Sequence, residues 1–194
     1  MAGLSGILGS KARRRAADSL YRGLMAAALA PEAYAAGIVA DDIDHRMQMV
    51  AVHAAVLVWQ LPKRVDAELR QMPELVHTRV LDGFDAALRE MGVGDASIAR
   101  KARAMAEHYY GLGVAIVDCL DDGPGRNDKL EKVLERNGVA MPGHCAELAA
   151  HVAALAERFE EHSSADFLKG SAPWVAYPAA SRRSVAKPRG ASLK

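Results

Sequence analysis

LREMGVGDASIARKARAMAEHYYG, residues 88–111, decides the fold, because a helix stop, a helix start, a basic cluster and a tyrosine pair fall within it. An apolar helix runs into Met91, and Gly92 and Gly94 are free to take the positive φ angles that end it. Asp95 or Ser97 is placed to cap a new helix by accepting hydrogen bonds from its first free amides. From there Ile98, Ala102, Met105, Tyr109, Leu112, Ile116 and Leu120 recur every three or four residues and share one core-facing stripe. Arg100, Arg103, Glu107 and Tyr110 point the other way. The segment therefore reads as the turn of a helical hairpin, with Tyr109 in the core and Tyr110 at the surface.

On spacing alone, Arg100, Lys101 and Arg103 form a solvated helix face with Arg103 paired to Glu107 at i, i+4. The sharper reading is a basic, aromatic-edged contact surface for a protein, since Arg and Tyr carry much of the binding energy at interfaces. A phosphate loop is excluded. Ser97 stands where a GxGxxG fingerprint needs its third glycine, and a helix precedes the pair where that motif needs a strand.

Outward from the hairpin, the chain of 194 residues is 51% apolar and only 5% aromatic, rich in Ala, Leu, Met, Glu and Arg. That composition suits an all-α fold, a single bundle of about six to seven helices with a flexible basic C-terminal tail. The net charge of +1 hides a partition. Residues 1–15 carry +4 and residues 169–194 carry +6, with no acid in either, which leaves −9 on the body between them. Basic ends on an acidic body point to anionic lipid or ribosomal RNA as partners of the termini, or simply to solubility. Cys119 and Cys145 are lone cysteines without a CxxC spacing and read as core filler in a reducing compartment.

The apolar run from Met47 to Leu61 is shorter than a membrane span and contains His53 and Gln60. The arginine- and serine-containing start faintly resembles a mitochondrial presequence, but only a short stretch precedes the first helix of the fold.

Along the chain, helices are expected from about 18 to 30, 31 to 36, 43 to 61, 73 to 91, 95 to 120, 128 to 137 and 145 to 162. This divides the protein into a basic arm (1–17), a helical domain (18–163) and a basic tail (164–194), in which Trp174 and Tyr177 are the anchors. Asp41 or Asp42 caps the third helix, whose Met47–Val58 stretch is apolar nearly all round and should be the most buried. His53 on it reads as a hydrogen-bonded core residue. Gly83 beside Phe84 permits a close helix crossing, and Val76, Val80, Leu81, Phe84, Leu88 and Met91 form one stripe. His144, His151 and His162 fit no metal-ligand spacing and read as surface residues, and DDGPGRND lacks the calcium-loop pattern. No nucleophile stands beside a base, so no catalytic, cofactor or metal residue is assigned.

Three segments together resemble the ubiquinol-cytochrome c chaperone family. They are LYRGLMAAALAPEAYAAGIVADDIDHRMQMVAVH (20–53), REMGVGD with KARAMAEHYYG (89–95 and 101–111), and LEKVLERNGV (130–139). The likeness spans about residues 20 to 160 and departs from the family at His45 and Met47, where it tends to Gly and Phe, and at Leu112, where it tends to Arg.

The resemblance implies a noncatalytic helical chaperone of newly made cytochrome b in assembly of the ubiquinol-cytochrome c reductase. It also implies a place in the cytoplasm, peripheral at the inner membrane, or in the mitochondrial matrix of a eukaryote. It turns Arg100, Lys101, Arg103 and Tyr110 into the expected partner-binding residues, with no cofactor and no DNA. A helical haem- or quinone-binding carrier using His53 or His108 is the alternative. An isoprenoid or lipid enzyme is disfavoured, since the Asp41-Asp42 and Asp121-Asp122 pairs lack a matching helical motif.

Overall fold

The computed structural model describes residues 2–177, and side chains throughout except those of 2–8, 95, 96 and 124. Its secondary structure is helical: α1 (Ala2–Ala28), α2 (Pro31–Ala35), α3 (Ile43–Gln60), α4 (Ala67–Arg70), α5 (Met72–Glu90), α6 (Asp95–Leu120), α7 (Arg126–Arg136), α8 (Cys145–Glu161) and α9 (Ser164–Leu168). Six of these are longer than one or two turns and make the bundle.

α3 is the axle. Every residue from Gln48 to Leu57 is buried, and the helix packs against α1, α5, α6 and α8. Its sequence dictates this, because a helix apolar on all sides is stable only when neighbours cover all sides. Asp42 caps it, accepting from the His45 amide at 3.0 Å, while Asp41 pairs with Arg46. Two amphipathic stripes close on α3 from either side. Val76, Val80, Phe84 and Leu88 of α5 are buried, as are Cys145, Leu148, Ala149, Val152, Leu155, Ala156 and Phe159, a stripe of α8 at helical spacing. Met91, expected on the α5 stripe, follows the last helical turn and is 56% exposed.

α1 crosses α5 where Gly83 stands. A Cβ there would lie 2.5 Å from the Tyr21 hydroxyl, so the missing side chain lets the two helices meet. The same helix begins at Ala2, so the residues set apart above as a basic arm are the first turns of α1. A one-sided row of arginines gave no capping signal, yet Ala and Arg are both good helix formers.

The hairpin is closed by backbone chemistry. Gly92 takes φ +71°, its amide donates to the Arg89 carbonyl and the Val93 amide donates to the Leu88 carbonyl. This paired 5→2 and 6→1 arrangement satisfies the last carbonyls of α5 and brings Val93 toward Leu88. Gly94, at φ −63°, is the residue that starts α6, and the Asp95 side chain, one of the two expected caps, lies outside the described residues. The Ser97 hydroxyl donates back to the Gly94 carbonyl at 3.0 Å.

Beyond α8 the chain does not leave the bundle at once. α9 turns it back, Gly170 takes φ +82° against α1, and residues 171–177 run as an extended strap. Trp174 lies on Phe159, with ring centroids 4.9 Å apart, and Tyr177 lies on His151 at 4.7 Å. Both rings anchor as the sequence suggests. His151, expected at the surface, is thereby buried, and the remainder of the tail, 178–194, lies outside the described residues.

Candidate functional site

α6 divides lengthwise into a buried strip and two flanks. Ile98, Tyr109, Leu112, Ile116 and Leu120 are buried, with Ala102 and Met105 half-buried beside them. At about 100° per residue, Arg103, Tyr110 and Val114 fall within about 40° of one another on one flank, and Arg103 precedes Tyr110 by about 10 Å along the axis. Lys101 falls on the other flank, in line with Ala104, Met105 and His108. The structure thus aligns two of the four expected contact residues, keeps Arg100 beside them on the outer face, and separates Lys101.

Between α3, α5 and α6 the first flank borders a groove of about 170 Å³, lined by Ala55, Val58, His77, Tyr109, Tyr110, Gly113, Val114 and Val117. Val114 is 60% exposed and Tyr110 44%, so apolar surface lies open beside the core here. Gly113 has open space where a Cβ would stand, which is what leaves the groove hollow.

Two polar atoms of this groove are turned on each other. The Tyr109 hydroxyl and His77 Nδ1 are hydrogen-bonded at 2.7 Å, and the His77 ring packs against Tyr110 with centroids 5.3 Å apart. Burial pushes the Tyr109 hydroxyl well above the usual phenol range and holds the His77 imidazole below its ordinary value, so both rings are neutral near pH 7. What remains for an occupant is apolar wall.

Charge stands at the upstream end. Arg100, Lys101 and Arg103 are exposed and make no ion pair among the described residues, and the expected Arg103–Glu107 pair is not formed. A second cavity of about 350 Å³ lies on the Lys101 flank, lined by Asp44, Met47, Gln48, Ala104, Met105 and His108. There the Gln48 side-chain amide donates to the Asn137 carbonyl at 2.9 Å and sits 3.3 Å from His108 Nε2.

His53 is far from solvent. Its Nδ1 is 2.8 Å from the Met49 carbonyl oxygen, its ring is covered by His151 and Trp174, and burial holds its pKa down to about 4. It is the satisfied core histidine that the sequence suggests. His53 and His108, the two residues of the carrier alternative, face different neighbours.

His77 and Val114 escaped the sequence reading. His77 sits alone on the edge of the α5 stripe, and only the pairing of α5 with α6 brings it to Tyr109. Val114 did leave a signal: Gly111 and Gly113 flank Leu112 within a long helix, where each glycine costs about 1 kcal/mol relative to Ala. Such a cost is tolerated where a close approach or a hollow is needed.

Among solved structures, the chain is similar to the crystal structure of the Cbp3 homolog from Brucella abortus. The TM-score is 0.76 at 23% sequence identity, over 90% of this chain and 97% of that one. This likeness supports the all-helical architecture. None of the curated proteins compared with the chain matches it. The family model described as ubiquinol-cytochrome C chaperone matches residues 35–174, from α2 through the hairpin to Trp174 of the strap, which is more than half of the sequence. By that match, the chain belongs to the ubiquinol-cytochrome C chaperone family.

Proposed function

We propose that this chaperone is noncatalytic and holds newly made cytochrome b by an apolar segment lodged in the groove between α3, α5 and α6. Arg100, Arg103 and Tyr110 form the near edge of the contact, and Lys101 makes a lesser contribution from the opposite flank. The work is done in the cytoplasm, peripheral to the inner membrane, while haem insertion and assembly proceed.

One observation carries the reading. The groove is open and apolar, the Tyr109 hydroxyl and His77 Nδ1 in it are hydrogen-bonded to each other, and unpaired cations lie about two turns upstream. A membrane-protein segment awaiting insertion presents apolar side chains with polar ends, which matches such a surface. Family membership supports the assembly role, and the groove supports a client of that chemistry.

The test is a photoreactive phenylalanine analogue placed at Val114, or at Glu157 as a control, in cells making tagged cytochrome b. Crosslinks to cytochrome b from position 114 and none from 157 are expected. Equal crosslinking from both positions, or none from 114 while cytochrome b still co-purifies, would move the contact elsewhere. Normal cytochrome b haem absorbance and normal reductase activity in a deletion strain would end the assembly reading altogether.

A further inference from the structure

Some basic side chains of the bundle are neutralised where they stand: Arg46, Arg79 and Arg126 each have a carboxylate oxygen within 2.9 Å. Besides Arg100, Lys101 and Arg103 of α6, α1 carries a set of cations that are not. Lys11, Arg14, Arg15 and Arg22 are exposed and make no ion pair among the described residues.

At about 100° per residue, Lys11, Arg15 and Arg22 fall within about 40° of one another, on the side of α1 turned away from the buried Leu20 and Leu24. Asp18 shares that side, but its carboxylate is held by Arg79 at 2.6 Å, so the row stays net positive. Residues 16–168 together carry −9, so an anionic surface is drawn to local basic faces of the molecule, and this row on α1 is one of them.

The chemistry between the cations separates lipid from nucleic acid. Single-stranded nucleic acid sites combine cations with aromatic rings on which bases stack. The only ring on α1, Tyr21, is turned toward Gly83, and the outward face continues instead into half-buried Met25 and Leu29. An exposed row of Lys and Arg with no ring between them suits anionic headgroups, to which each nearby cation adds attraction.

We propose that the outward face of α1 docks on anionic phospholipid headgroups and holds the bundle flat against the membrane. The inference rests on the placement at the inner membrane proposed above, and its test separates the two.

The full chain is sedimented with vesicles of phosphatidylcholine alone and of phosphatidylcholine with about one third phosphatidylglycerol. Binding only to the anionic vesicles is expected. Replacing Lys11, Arg15 and Arg22 together by Gln should lower the partition coefficient about 100-fold, about fivefold for each basic residue from its ~1 kcal/mol of attraction. All three are exposed, and a circular dichroism melt checks that the variant folds. Photocrosslinking to cytochrome b from position 114 in detergent should be unchanged in that variant.

Equal binding to both vesicle types overturns the proposal. So does full binding by the triple variant, or a loss seen only when Arg182, Arg183, Lys187 and Arg189 are replaced by Gln. Tighter retention on single-stranded RNA than on the anionic vesicles overturns it in favour of nucleic acid. Loss of crosslinking with vesicle binding intact would count against the groove reading and leave this one standing.

Discussion

The Tyr109 hydroxyl and His77 Nδ1, 2.7 Å apart, form the one direct hydrogen bond between side chains of α5 and α6 among the described residues. It does two things at once. It ties the arms of the hairpin together partway along their length, and it removes two polar atoms from the groove they border. Tyr109→Phe should leave the His77 nitrogen without its partner and lower stability by about 1–2 kcal/mol in urea unfolding. The double change to Tyr109→Phe with His77→Leu should recover part of that loss, because no polar atom is then stranded. If the double variant is less stable than the single one, the pair is worth more as a bond than as a mutual neutralisation.

Filling the groove should separate binding from folding. Gly113→Leu meets open space, replaces a poor helix former by a good one, and places a branched side chain where the occupant would lie. The melting temperature should hold or rise, while crosslinking to cytochrome b from a probe at Tyr110 falls at least tenfold. Unchanged crosslinking would mean that the contact bypasses the groove.

Acid should destabilise the bundle through its buried histidines. The His53 pKa is about 4 in the fold against an ordinary value of 6.5, with burial the principal cause and neighbouring His151 adding to it. As pH falls the unfolded chain takes up this proton first, so the stabilisation is complete above pH 6.5 and is lost as pH drops toward 4. His53 alone accounts for on the order of 3 kcal/mol. Burial also holds His77 and His151 down, and both add in the same direction. Urea midpoints at pH 7, 5.5 and 4.5 should therefore fall more steeply for the native chain than for His53→Gln. Parallel slopes would rule His53 out as a contributor.

Three glycine-to-alanine changes should rank in a fixed order. Gly94 has φ −63° and open surroundings, so Ala there should change stability by within about 0.5 kcal/mol. Gly92 also has open surroundings but sits at φ +71°, and Ala should cost about 1–2 kcal/mol from backbone conformation alone. Gly170 combines φ +82° with a Cβ position 2.9 Å from the Ala16 carbonyl oxygen and 2.5 Å from the Ser19 Cβ, so Ala should cost more than at Gly92. Thermal melts of the three variants check the order.

Periodicity made the bundle legible because burial follows it closely. The α3 run, the α8 stripe and Tyr109 against Tyr110 all stand where a 3.6-residue repeat puts them. Helix stops were readable from glycine, as at Gly92, whereas Ser97, one of the two caps expected for α6, donates to the Gly94 carbonyl and leaves Gly94 as the residue that starts the helix. His151 shows what the pattern leaves out. It packs between His53 of α3 and Tyr177, and the second of these covers comes from the strap, which the repeat of α8 does not reveal. The groove is legible in neither helix by itself, since its walls come from three elements and its hollow from a side chain that Gly113 lacks. The unpaired state of Arg103 was equally hidden, because i, i+4 spacing permits a pair with Glu107 without enforcing one.

The strap sets an order on biogenesis. α3 is made early and is the most apolar helix of the chain, yet the rings that cover His53 and Phe159 belong to some of the last described residues to be translated. Until Trp174 and Tyr177 have followed α8 out of the ribosome, those rings are missing from the faces of α3 and α8 that they cover in the finished fold.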